Sequence, residues 1–155
     1  MKSKKLLSII LALAMMFSVL PASTVLVHAE AITETISADT TWNDGDTVGG
    51  VTISGGTVTI NGDVGITAAI TIKGNVTFTG GGTLNRMSPS GNLIKVESGS
   101  LTLNNVTIDG NNVTISDSWT AAAINMADGT VIMNDGAKIT NHKRTSGYGP
   151  AVYMD

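Results

Sequence analysis

The sequence has 155 residues, no Cys, 18 Gly, 4% aromatic and 14% charged side chains, and a net charge of -3. Without Cys there is no disulfide scaffold, Cys-based zinc site or thiol nucleophile, and the acidic balance offers no general attraction for nucleic acid. Its 42% hydrophobic content argues against disorder, which leaves a β-rich chain with many tight turns.

Met1-Lys2-Ser3-Lys4-Lys5 is a short basic stretch, followed by an apolar run over residues 6–20 broken only by Ser8 and Ser18. A more polar stretch then leads to Val27-His28-Ala29, which suits signal peptidase cleavage after Ala29. The run is shorter than the ~20 residues that cross a bilayer. Residues 1–29 are therefore predicted as a signal peptide, and the product as secreted or cell-surface. Cleavage removes Lys2, Lys4 and Lys5 and no acid, leaving 126 residues with six basic and twelve acidic side chains, a net of -6. That balance disfavours nucleic-acid and membrane partners further.

Residues 30–50 are expected to lead into and cap a repeat that fills 51–155. Over that region the apolar residues alternate with Thr, Asn or Gly in short pairs, from Val51 and Ile53 through Val58 and Ile60 to Val152 and Met154. Each pair fits a short strand with one buried face, and no window carries a helical stripe. The pairs recur as a unit. Residues 94–105 align without gaps to 124–135, and Ile108 matches Ile139 after one inserted residue. Residues 151–155 match 123–127. Going backward, Ile70, Ile72, Val76 and Phe78 match Ile94, Val96, Leu101 and Leu103. Val51, Ile53, Val58 and Ile60 match Ile70, Ile72, Val76 and Phe78 in turn.

Repetition at such spacings implies a solenoid of about four to five coils, an all-β chain with equivalent residues stacked into ladders. Asn61, Asn104 and Asn134 follow the second strand in three coils, where left-handed backbone and amide stacking suit Asn. Gly55, Gly74, Gly99 and Gly129 mark the other corner and are expected at positive φ. Residues 98–111 and 129–141 resemble the coils of right-handed parallel β-helix proteins, the pectate-lyase-like superfamily. The likeness is greatest to the repetitive, adhesin-like surface proteins of Gram-positive bacteria. Residues 42–48 also resemble the lead-in strands of such proteins. This resemblance implies a right-handed parallel β-helix and a structural or adhesin-like role, with no catalysis evident in the segment. It also implies an alternative: the N-terminal part of a polysaccharide lyase or glycoside hydrolase. The pattern stops inside a coil at Asp155, so a longer protein is expected, or an open edge that associates end to end with another copy.

The acids Asp63, Glu97, Asp109, Asp117, Asp128 and Asp135 are scattered rather than paired, and read as turn residues. Asn43-Asp44-Gly45-Asp46 also reads as a turn, because it lacks the further ligands of a calcium loop. No catalytic, cofactor or metal residue is assigned. Residues placed for ligand contact, such as a glycan or host surface, are the basic cluster His142, Lys143 and Arg144 and the loop aromatics Trp119 and Tyr148. Trp42 reads as a cap of the first coil. Thr57-Val58-Thr59 and Thr77-Phe78-Thr79 put Thr pairs outward in the manner of an ice-binding face. Unequal coils and Leu101-Thr102-Leu103 are expected to interrupt that array, and Thr is in any case a good strand former.

Overall fold

The computed structural model describes residues 31–32, 34–115, 121–145 and 151–155. The expected signal peptide, Trp119 and Tyr148 lie outside these residues. Within them the secondary structure is entirely β. Residues 35–48 already form one complete pass through three strands, β1 (Thr35–Ile36), β2 (Thr40–Asn43) and β3 (Thr47–Val48). The second pass gives β4 (Thr52–Ile53), β5 (Gly56–Asn61) and β6 (Asp63–Ile66), and the third gives β7 (Ile70–Ile72), β8 (Asn75–Thr79) and β9 (Thr83–Arg86). The fourth holds β10 (Ile94–Val96), β11 (Ser100–Leu103), β12 (Thr107–Asp109) and β13 (Thr114–Ile115). The fifth holds β14 (Ile124–Met126), β15 (Thr130–Met133), β16 (Lys138–Thr140) and β17 (Lys143–Arg144), and β18 (Val152–Met154) opens a sixth.

Each strand pairs in parallel with its equivalent one pass away. The first sheet runs β1-β4-β7-β10-β14-β18, the second β15-β11-β8-β5-β2 and the third β16-β12-β9-β6-β3, with β13 and β17 as a small fourth. Parallel strands need crossover connections, and here the other two sheets supply them. Three ladders thus face a shared interior lined by Val, Ile and Leu. Val58, Ile72, Leu84, Val96, Leu103 and Ile124 are all fully buried. Trp42 is buried among them and meets Phe78 edge-on, with ring centroids 5.9 Å apart.

Registers over the later passes follow the repeat: Ile94 pairs with Ile124, Leu103 with Met133, Ile108 with Ile139, and Ile124 with Val152. Between the second and third passes the register differs from the expected match. Val58 pairs with Phe78, not Val76. The slip is two residues, so the inward face stays inward. It leaves Ile60 opposite Gly80, where a side chain would run into the Ile60 backbone.

Two corner expectations are also corrected. Gly99 and Gly129 adopt positive φ, but Gly55 and Gly74 do not, and in the second pass Gly56 does so instead. Gly74 is glycine for lack of room, because a Cβ there would collide with the Ser54 carbonyl. At the Asn corner the left-handed residue is Asn105 (φ 50), one position after Asn104. Amide stacking does occur: Asn134 Nδ2 donates to Asn104 Oδ1 at 2.6 Å, and Asn61 Nδ2 to Asn43 Oδ1 at 3.5 Å.

Candidate functional site

The polar chemistry concentrates along the third sheet and its connections. In β9 the period-two pattern that buries Leu84 also turns Arg86 inward, and Arg86 is 1% exposed. Its Nη1 donates to the carbonyls of Ser88 (3.2 Å), Ser90 (3.4 Å) and Gly91 (3.0 Å), and its Nη2 to that of Ala122 (3.1 Å). A forked, permanently charged donor is suited to such a set of carbonyls. Arg86 thereby fastens the bend after the third pass to the connection that enters the fifth. Asn92 reinforces this link, its Oδ1 accepting the Ala122 N–H at 2.9 Å.

Beside it, Asp109 at the end of β12 is a second organising centre. Its carboxylate accepts the Asn111 N–H at 2.6 Å, the Asn141 Nδ2 at 2.9 and 3.1 Å, and the Thr140 hydroxyl at 3.3 Å. Asn111, Asn112 and Asn141 all hold left-handed backbone, with φ of 51, 53 and 55°, which Asn tolerates better than most residues. Asn111 Nδ2 reaches back to the Arg86 carbonyl at 3.4 Å.

The predicted basic cluster runs on from Asn141. Lys143 is exposed and Arg144 half-buried, and both lie in β17, paired with Thr114 and Ile115 of β13. His142 differs from its neighbours. Both its ring nitrogens are shielded from solvent and lack a hydrogen-bond partner of good geometry among the described residues. Burial, and after it the positive charge of Arg86, hold its pKa below the ordinary value. The Ile108 backbone and the Asp109 carboxylate pull the other way. Of the five residues expected to contact a ligand, these three sit together on the third-sheet side, and only Lys143 is exposed. A ligand contact by the His142 ring would require its nitrogens to become accessible.

Outside the third sheet an open cleft of about 440 Å³ is lined by Asp46, Thr47, Asp63, Asn85, Met87 and Asn111 over a floor of Gly45 and Gly65. Met87 is 56% exposed and lies across Gly65, where a Cβ would meet its Sδ. The residues Asn43 to Asp46 form a turn held by their own carboxylates. Asp46 Oδ2 accepts the Asn43 N–H at 2.7 Å, and Asp44 Oδ1 accepts the Asp63 N–H of the next pass at 2.8 Å. Among the described residues no three His, Asp or Glu side chains converge as a metal site. Two carboxylates, two amides, a hydroxyl and a thioether suit a hydroxylated ligand.

Two other features complete the surface. On the first sheet Glu97 bridges Lys95 at 2.8 Å and Lys73 at 3.5 Å. The hydrogen bond from Lys95 holds the Glu97 pKa below its ordinary value, and the same bond raises that of Lys95. At the far end of the ladders, Met126, Val131, Met133, Val152 and Met154 line an apolar hollow of about 360 Å³.

Arg86 and Met87 were not singled out in the sequence. The signal for Arg86 was its parity with Leu84, which puts a charge on the inward face just before the Ser- and Gly-rich bend that supplies its acceptors. Comparison with known protein families, with curated proteins and with solved structures returns no match in any of the three.

Proposed function

We propose that the chain is a right-handed parallel β-helix of the pectate-lyase-like type, exported by residues 1–29 and displayed outside the cell as a structural, adhesin-like module. The observation that carries this reading is that polar side chains join one pass to the next. Asp39 Oδ1 takes the Thr57 N–H, Asp44 takes that of Asp63, Ser98 donates to the Lys73 carbonyl, and Asn134 donates to Asn104. Such bonds let passes be added along one axis, which is the economy of an extended stalk. Right-handedness is supported by the general preference of parallel crossovers. Partners of this module are a glycan or cell-surface ligand, and a second copy at the apolar end of the ladders.

The test is to express residues 1–155 in a secreting Gram-positive host. The expected result is an extracellular product whose first residue is Glu30 and which adheres to cells or their glycans. An intracellular product that retains Met1 overturns the reading. The cleft with Asp46 and Asp63 favours the second reading, a fragment of a polysaccharide lyase or hydrolase. Incubation with acidic polysaccharides separates the two, since release of unsaturated or reducing ends supports the enzyme.

A further inference from the structure

The second sheet differs from the other two in carrying no charged residue on any of its five strands, β2, β5, β8, β11 and β15. Its outward positions are Thr in the middle of the face. The two-residue correction of register decides their arrangement: Thr57 stands beside Thr77, and Thr59 beside Thr79. Thr41 extends the second column beyond Thr59. Thr102 continues the first beyond Thr77, whereas the second ends at Thr79, where β11 stops at Leu103 and Asn104 follows, so the expected interruption at Leu101-Thr102-Leu103 falls on the second column alone. Unequal passes are absorbed in the connections, and the strands stay in phase.

The six hydroxyls of Thr41, Thr57, Thr59, Thr77, Thr79 and Thr102 make no hydrogen bond to another described residue. Each is at least partly exposed. They repeat at ~4.8 Å along the stack, and at ~6.6 Å across each strand. β-Branching leaves each side chain stiff at χ1, so little rotational freedom remains to be lost when the hydroxyls engage a lattice. Each Thr carries a methyl beside its hydroxyl, and no strand of the face holds an ionised group. A stiff two-dimensional array of hydroxyls at fixed repeats is the geometry that can hold an ordered layer of water.

We propose that the outer face of the second sheet is an adsorption surface for ice, with waters held on the two Thr columns as the first layer of the lattice. The electrostatics fit: the strands of this face carry no charge, and the carboxylate nearest to it, Asp39, stands in the connection before β2 and is engaged by the Thr57 N–H. Thr77 has Thr on both sides in its column and Thr79 two residues along its strand, so it is the position where an intruding side chain disrupts most of the array.

The experiment measures partitioning of the folded chain into slowly growing ice, together with inhibition of ice recrystallisation. The chain is expected to concentrate in the ice fraction at least several-fold over an albumin control. Thr77→Lys is expected to abolish that enrichment, and Lys95→Ala, in β10 of the first sheet, to leave it unchanged. Circular dichroism checks that each variant keeps its β signal. Thr59→Lys serves if Thr77→Lys fails to fold. Enrichment no greater than the control, or enrichment that survives both Lys substitutions, overturns the proposal. So does retention on crystalline cellulose with no effect on ice, which would assign the face to a glycan solid.

Discussion

The second and third sheets are built on the same ladder plan, yet their outer faces have opposite chemistry. On the second, six Thr hydroxyls stand in columns and bond to no other described residue. On the third, Asp109, Asn111 and Asn141 bond to one another, Arg86 is buried beneath them, and Met87 walls a cleft. Apart from Trp42 and Phe78 on the second and Arg86 on the third, the inward faces of both are filled by the same few aliphatic types. Because the core is nearly interchangeable, the identity of each face resides in its outward residues and in the connections beside it, as expected where function is placed on a repeated scaffold.

The largest expected effect removes the plan common to both faces. Val96 is fully buried, and Val96→Asp would place a carboxylate among aliphatic side chains without a partner. Even neutralised by a proton, the carboxyl should cost about 4–5 kcal/mol, a large part of the ~5–15 kcal/mol that holds a domain together, and the β signal in circular dichroism should be lost. A soluble variant with a normal spectrum would show that the passes do not share one core.

Next comes a change confined to the third-sheet side. Arg86→Met removes the donor for four carbonyls, and a loss of about 3 kcal/mol is expected from their desolvation. It should appear as a lower urea midpoint and as faster proteolysis between residues 87 and 93. The Thr face should be unaffected, so loss of both together would break the contrast between the sheets.

A smaller effect follows from pH. His142 in the folded chain resists protonation, its pKa lying below the ordinary 6.5. The unfolded chain therefore binds the proton first as pH falls. The stability linked to this residue is complete above about pH 6.5 and declines as pH drops toward the folded pKa. His142→Gln should flatten that part of the urea-midpoint profile between pH 7 and 5. An unchanged slope would mean that other groups set it.

The smallest effect is at the shared core. The Trp42 indole N–H is buried without a partner among the described residues. Trp42→Phe trades lost ring area against relief of that N–H, and a change under ~1 kcal/mol is expected in the urea midpoint. A drop of several kcal/mol would mean that ring volume dominates at this position.

Much of the ladder plan was legible because the apolar period of two is strict and the match of residues 94–105 to 124–135 has no gaps. The slip at Val58 was not, since a shift of two residues satisfies the same alternation. Only a three-dimensional constraint, the close approach of Gly80 to Ile60, distinguishes the two registers. Site chemistry was less legible still. Asp109 and Asn141 are far apart in sequence and meet only because β12 and β16 are neighbours, and the cleft joins residues from four passes. His142 was visible as a basic-cluster member, but its burial depends on what covers it.

The hydrogen bonds of all three ladders run along the stacking axis, which has a mechanical consequence. Tension applied to the two ends of the stack loads those bonds along their length and concentrates force on the outermost pass. Passes would then peel away one after another instead of shearing together. Each would release a stretch of chain reaching ~3.3–3.6 Å per residue. Such a stack would lengthen in steps under load instead of giving way all at once.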